Sequence, residues 1–171
     1  GIAVATTIIT RDLGIDAVGP KQRLIPTRNV RVTKAKKKYK RIKFMSTIIG
    51  KARTKKLGPT GAMPQLEYGH TAHGVSPTQL DTYTELSASI VKGKAKGKCN
   101  ATAIATAYHI AADPRIKIPL KHILTLVRLI LTASIVELDD LRKCWPVVQR
   151  SQAPPHWPNI VGPIQAAHPY L

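Results

Sequence analysis

The sequence predicts a mainly α protein: a basic amphipathic helix followed by a small helical bundle, with at most one short N-terminal strand and an irregular Pro-rich C-terminal tail. Three observations carry that expectation. Apolar side chains recur at spacings of three and four over most of the chain. Helix-start and helix-stop residues bracket those stretches. Aromatic residues are only 5% of 171, so any core has to be aliphatic and alanine-rich. A chain of this length can bury one core, with or without extended arms, which excludes a large multidomain enzyme.

Ala3 to Ile9 is apolar and β-branched and reads as a strand that stops at Thr10-Arg11-Asp12. Pro20 and Pro26 break the chain before the first helix, expected near 30–53. There Ala35, Tyr39, Ile42, Met45, Ile49 and Ala52 form one apolar stripe. Ser76-Pro77-Thr78-Gln79 is a capping-box pattern with proline at the first helical position, and opens a helix over 77–91 that buries Leu80, Tyr83, Leu86 or Ser87, and Ile90. A small-residue helix is expected over 100–112, with Ile104, Tyr108 and Ala111 inward, closed by Asp113-Pro114. Pro119 opens a helix over 119–135 with Leu120, Ile123, Leu124, Val127 and Leu131 as its buried face. A short helix over 137–145 ends, or kinks, at Pro146. Pro154-Pro155-His156-Trp157-Pro158 and Gly162-Pro163 mark the irregular tail.

Charge is distributed in blocks. Lys and Arg number 27 against nine Asp and Glu, a formal net charge of +18 that favours polyanionic partners. Residues 1–58 hold 16 of these cations and only Asp12 and Asp16 as acids. Residues 59–91 have no Lys or Arg, and 92–98 reads Lys-Gly-Lys-Ala-Lys-Gly-Lys, a flexible basic hinge. Residues 99–171 are nearly balanced. Like charges at i,i+4 cost a helix a few tenths of a kcal/mol per pair. The first helix therefore needs a partner for its stripe and phosphates for its back. The candidate nucleic-acid-binding residues are Arg31, Lys34, Lys36, Lys37, Lys38, Lys40, Arg41, Lys43, Lys51, Arg53, Lys55 and Lys56. Contacts of this kind position a duplex without specifying its sequence. Tyr39 and Phe44 are the only aromatics in the segment, and Tyr39 belongs to the apolar stripe, so sequence-specific readout has little support.

Other chemistry finds less support. The acids Asp12, Asp16, Glu137, Asp139 and Asp140 do not form a positioned acid/base pair, and acids at helix starts are explained by the dipole alone. His70 and His73 make an HxxH pair, half of what a zinc site needs, and read as a turn with two hydrogen-bonding histidines. His109, His122, His156 and His168 read as packed or solvated side chains, and Cys99 as a small residue entering a helix. No Gly-rich phosphate loop is present. No catalytic residue, metal or cofactor is expected. Two cysteines outside any CxxC pair suit a reducing intracellular compartment. The start at Gly1-Ile2 reads as the middle or end of a longer product. Leu120 to Leu131 contains Lys121, His122 and Arg128, is too short and too charged to span a bilayer, and is expected to be a buried helix, with no membrane partner.

The order of several motifs resembles the region just after the palm of LINE-type, non-LTR retrotransposon reverse transcriptases. These are Asp12-Leu13-Gly14-Ile15-Asp16, a basic helix, Thr60-Gly61-Ala62-Met63-Pro64-Gln65-Leu66-Glu67-Tyr68-Gly69-His70, and Gly74-Val75-Ser76-Pro77-Thr78-Gln79-Leu80. In that family a strand ending in Leu-Gly-Val/Ile closes the palm, a Lys/Arg-rich helix follows in the thumb, and a Pro-x-x-x-Tyr-Gly element begins the connection. Asp113-Pro114 and Trp157…Gly162-Pro163-Ile164 are most similar to retroelement proteins of dinoflagellates. The resemblance implies that 1–28 is the strand and linker closing a missing palm and 29–58 the basic thumb-like helix. It makes 59–98 the connection with its capped helix and basic hinge, and 99–171 a helical C-terminal part with a Pro-rich tail. The family's catalytic aspartates lie upstream, so the implied role is non-catalytic: gripping the phosphates of RNA or an RNA/DNA duplex beside the upstream palm domain of the same polyprotein, in the nucleus. Tyr68-Gly69 is expected to be structural. Two other readings suit the same composition: a structural RNA-binding protein of a ribosome or mitoribosome, contacting ribosomal RNA, and a non-functional retroelement remnant.

Overall fold

The computed structural model describes residues 9–12, 15–18, 26–91, 97, 99–150 and 163–171. It is mainly α. Two short strands, β1 (Ile9–Asp12) and β2 (Ile15–Val18), form an antiparallel hairpin in which Arg11 stands opposite Asp16 and Asp12 opposite Ile15. This corrects the single strand expected at 3–9: Thr10-Arg11-Asp12 continues the strand instead of ending it, and residues 1–8 lie outside the described ones.

The first helix, α1 (Pro26–Ile48), starts earlier than expected, with proline at its first position, and stops before Gly50, whose φ of +85° no other residue adopts cheaply. A separate turn, α2 (Lys51–Thr54), follows. The buried seam of α1 also differs from the expected stripe. Arg28, Ala35, Tyr39, Ile42 and Ser46 are buried and Val32 packs beside them, whereas Met45, Ile49 and Ala52 are exposed. The expected stripe averaged about 3.4 residues per step and drifts around a helix of 3.6 residues per turn, while the series 28, 32, 35, 39, 42, 46 keeps in step with it.

A π-turn (Gly58–Ala62), α3 (Met63–Glu67) and α4 (His70–His73) carry the chain beneath α1. A Cβ at Gly58 would stand 2.7 Å from Ile90 Cδ1, so any larger residue there would make the Ile90 side chain shift. Gly69, at φ +73°, turns the chain from α3 into α4. Helix α5 (Pro77–Val91) occupies the expected span. Its capping box is reciprocal: the Ser76 N–H donates to Gln79 Oε1 at 3.1 Å, and the Gln79 N–H to Ser76 Oγ at 3.3 Å. Ala35, Tyr39, Ile42, Met63, Leu66, Val75, Tyr83, Ile90 and Ile118 join α1, α3, α5 and the later α7 in one core.

The expected helix 100–112 divides into α6 (Asn100–Ala107) and a 3₁₀ turn (Ile110–Ala112), which leaves Ala111 exposed. Asp113-Pro114 does not close a helix but opens one, α7 (Pro114–Thr132). The Asp113 carboxylate accepts from the Arg115 N–H at 2.9 Å, and Pro114 fills the position where an N–H has no partner to lose. Pro119, expected at a helix start, therefore lies inside α7. Helix α8 (Ile135–Arg150) is longer than the 137–145 expected and runs through Pro146. Its start is a second reciprocal capping box, with the Ser134 N–H donating to Glu137 Oε2 at 2.7 Å. Of the tail, 151–162 lie outside the described residues. The final segment is not irregular: α9 (Pro163–Ala167) and a 3₁₀ turn (His168–Tyr170) pack on α4 and α7, with Ala166 and Ala167 buried.

The expected buried face of α7 is corrected most. Ile118, His122 and Leu126 are buried, while Leu120 is 51% exposed and Leu131 78%, with Leu124 and Val127 exposed between them. Apolar residues cover more than half of this helix, and α4, α5 and α9 pack on the side carrying Ile118 and His122. We expect Ile118→Ala to cost about 2–5 kcal/mol, and Leu124→Gln to change stability by no more than about 0.5 kcal/mol. Chemical denaturation of the two variants checks this, and equal losses would return the buried face to the one periodicity suggested. Among the described residues, no helix is long and apolar enough to cross a membrane.

Candidate nucleic-acid interface

Helix α1 is 23 residues long, so it extends about 35 Å, roughly one turn of duplex. The seam that includes Ala35, Tyr39 and Ile42 fixes its orientation, and the remaining circumference is cationic. Lys34, Lys36, Lys37, Lys38, Lys40, Arg41 and Lys43 are all exposed and fan over about 220° of the helix at 100° per residue. Lys51, Arg53 and Lys56 extend the field beyond the helix end and are also exposed.

Two of the twelve candidates are tied down. The Arg31 guanidinium lies 3.9 Å from the centroid of the Tyr68 ring, a cation–π contact that leaves it half-buried. Lys55 donates to the Ala107 carbonyl at 3.4 Å. Tyr68-Gly69 thus has the structural part expected of it, Tyr68 as the seat for Arg31 and Gly69 as the left-handed turn.

Ion pairing separates this field from the other cations. Glu67, buried on α3, takes Lys117 at 2.7 Å and Lys121 at 2.6 Å, two lysines one turn apart on α7. Arg115 pairs with Asp81 at 2.7 Å, and Arg142 and Lys143 pair with Asp139 and Asp140 on α8. Among the described residues, the exposed lysines and arginines of α1 and α2 make no ion pair. Arg115, Lys117 and Lys121 are thus neutralised by acids of the middle segment and Arg142 and Lys143 by acids of their own helix, whereas the lysines on the outer side of α1 are open to solvent. The hinge lysines Lys92, Lys94, Lys96 and Lys98 lie outside the described residues.

Arg28, which sequence reasoning placed in the linker, is the exception among the cations. It is buried in the α1 seam, where its guanidinium donates to the Gly74 carbonyl and, at 3.3 Å, to the Tyr83 hydroxyl. Its position seven residues before Ala35 was the available signal.

Several of the remaining chemistry-bearing side chains have packing or capping partners. His70 Nδ1 lies 2.7 Å from His122 Nε2, and both rings are buried where α4 meets α7, with Tyr170 against His122. Burial, reinforced by the other imidazole, pushes the His70 pKa down to about 3, and burial pushes His122 down to about 4. His73 is buried as well. His109 caps the 3₁₀ turn by accepting from the Ala111 N–H. Glu137, which caps α8, is held below the usual carboxylate value by the Ser134 N–H and hydroxyl. Cys99 and Cys144 are exposed thiols. A cavity of about 30 Å³ among Tyr39, Gly58, Met63, Ser87, Ile90 and Tyr108 has room for about one water molecule. Among the described residues, no group of three or more His, Cys, Asp or Glu side chains is arranged to hold a metal ion.

Compared with known protein families, with curated proteins and with solved structures, the chain finds no match.

Proposed function

We propose that the chain is a non-catalytic nucleic-acid-binding unit that grips the phosphates of RNA or an RNA/DNA duplex through α1 and the turn after it. The observation that carries the reading is a helix locked by a buried seam, whose exposed lysines and arginines make no ion pair among the described residues. A cation field of this density is relieved when it exchanges condensed counterions with a phosphate backbone. The resemblance to the thumb and connection of LINE-type reverse transcriptases supplies the setting: the chemistry belongs to an upstream palm in the nucleus, and this unit holds the template–primer. The exposed aliphatic stripe of α7 suits a unit that sits against another folded body.

The test is the salt dependence of binding. Affinity for duplexes of unrelated sequence is expected to be nearly equal, and log K to fall with log salt at a slope of roughly −5 to −6, about half of the twelve cations engaging one backbone at once. Replacing Lys37, Lys38, Lys40 and Arg41 by Gln is expected to shrink that slope by about 2–3 and to weaken all sequences alike. Replacing the four hinge lysines should do less, because a Gly-interspersed segment loses more entropy when it is ordered. A salt-insensitive affinity, or a quadruple variant that binds like its parent, would make the cation field a solvated face and leave the remnant reading. Co-sedimentation with ribosomal subunits would transfer the same surface to ribosomal RNA.

A further inference from the structure

Phe44 is the chain's single phenylalanine, and it is 67% exposed on α1. At 100° per residue it stands nearly opposite the seam formed by Ala35, Tyr39, Ile42 and Ser46, so the core has no use for it. Ile48, one turn on, is 68% exposed on the same side. Around this apolar pair are Lys40 and Arg41 one turn before Phe44, and Lys37 two turns before. Lys51 follows just past the helix end. The last turn of α1 is held in place by hydroxyls: Ser46 donates to the Lys43 carbonyl at 2.6 Å, and Thr47 to the Phe44 carbonyl at 2.7 Å.

We infer that Phe44, backed by Ile48, is a nucleobase-stacking site, and that the strand this surface prefers is therefore single-stranded, looped or frayed. The inference rests on the nucleic-acid reading above and adds to it. Phosphates drawn to Lys37, Lys40 and Arg41 satisfy the charges but leave the aromatic ring in water. Only the faces of the bases on the same strand can cover it. Within a duplex those faces are already stacked on one another, and a side chain reaches them only by wedging a step apart. In a single strand or loop they are open, and every base offers a π face, so the preference carries no sequence information. A membrane surface fits less well. Interfacial helices bury a broad apolar stripe, whereas the continuous stripe of α1 is used by the protein core, and its exposed apolar side chains, Val30, Phe44, Met45 and Ile48, are interspersed with lysines and arginines.

The experiment uses the full chain and three probes carrying equal numbers of phosphates: a single-stranded oligothymidylate, an abasic strand and a duplex. Phe44→Ala is expected to weaken binding to the oligothymidylate by about 5- to 100-fold. The salt slope should stay unchanged, as should affinity for the abasic strand, and affinity for the duplex should barely move. Phe44→Tyr should keep the parent affinity. An unchanged melting temperature shows that the exposed substitution leaves the fold alone. If Phe44→Ala binds the oligothymidylate like its parent, or loses equally on the abasic strand, the stacking site is overturned while the phosphate grip stands. If the parent binds no nucleic acid in a salt-dependent way, both readings fall. A loss confined to vesicles of phosphatidylserine and phosphatidylcholine would overturn stacking in favour of a lipid contact.

Discussion

Replacing Tyr39 by alanine should cost the fold about 3–5 kcal/mol, a large part of the roughly 5–15 kcal/mol available to a domain. Tyr39 is 2% exposed at the middle of the α1 seam. Its ring packs between α1, α3 and α5, and its hydroxyl lies 3.5 Å from Met63 Sδ and 3.4 Å from Ser87 Oγ. Burial raises the phenol pKa to about 12, so the group is neutral throughout the physiological range. Alanine leaves a void beside the cavity that Tyr39 already borders, and the close packing around it collapses only in part. Tyr39→Phe keeps the ring and gives up only the weak hydroxyl contacts, about 0.5–1.5 kcal/mol. Urea denaturation of the two variants beside Phe44→Ala separates the faces of one helix. The buried aromatic should dominate, and the exposed one should stay within about 0.5 kcal/mol of the parent. Equal effects at 39 and 44 would mean that α1 is not seated by this seam. Since the seam orients the cation field, Tyr39→Ala should also lower affinity for every nucleic acid without touching a phosphate contact.

Acid should destabilise the protein well before its carboxylates titrate. In the unfolded chain His70 and His122 regain the ordinary histidine value of about 6.5, whereas in the fold they sit at about 3 and about 4. Between those values the unfolded state binds protons that the folded state refuses, so stability is full above about pH 6.5 and falls as the pH drops below it. Each histidine contributes a slope of up to about 1.4 kcal/mol per pH unit. The cations around the pair make protonation harder, while the backbone of His70 and Ala166 favours it at His122 without offsetting burial. Lys121, Arg28 and Lys117 act on His70, and Arg28 acts on His122. A melting temperature that declines steadily from pH 7 to pH 4.5 is the expected result, with α4, α7 and the C-terminal turn loosening together because the pair joins them. A His70→Gln, His122→Gln double variant should flatten the profile in that window even where it lowers the plateau. A melting temperature constant across it would place the two rings in contact with water.

Local signals were legible wherever neighbours in sequence do the work. The Ser76–Gln79 box delimits α5 because its donors and acceptors are three residues apart, and no distant contact is needed to form it. The same chemistry at Ser134–Glu137 was equally available and sets the start of α8 earlier than apolar spacing alone suggested. Asp113-Pro114 shows the limit of punctuation. A proline that cannot donate ends one helix or begins the next, and what decides is whether the preceding side chain caps the following turn, as Asp113 does. The cation field was legible too, since a run of lysines around a helix cannot all point inward.

By itself, then, the sequence determined the helical class, the span of α5, the open charge of α1 and the scarcity of aromatic side chains. Tertiary structure alone decided which charges are spent inside the protein, pairing Glu67 with Lys117 and Lys121 across fifty residues or more and sinking Arg28 into the core. It also brought His70 to His122 and chose the face of α7 that is buried. The physical reason is the same throughout. Periodicity states that a helix has an apolar side, but when apolar residues span more than half of the circumference, or when a buried group is polar, only the partner that packs there selects the side and supplies the hydrogen bonds.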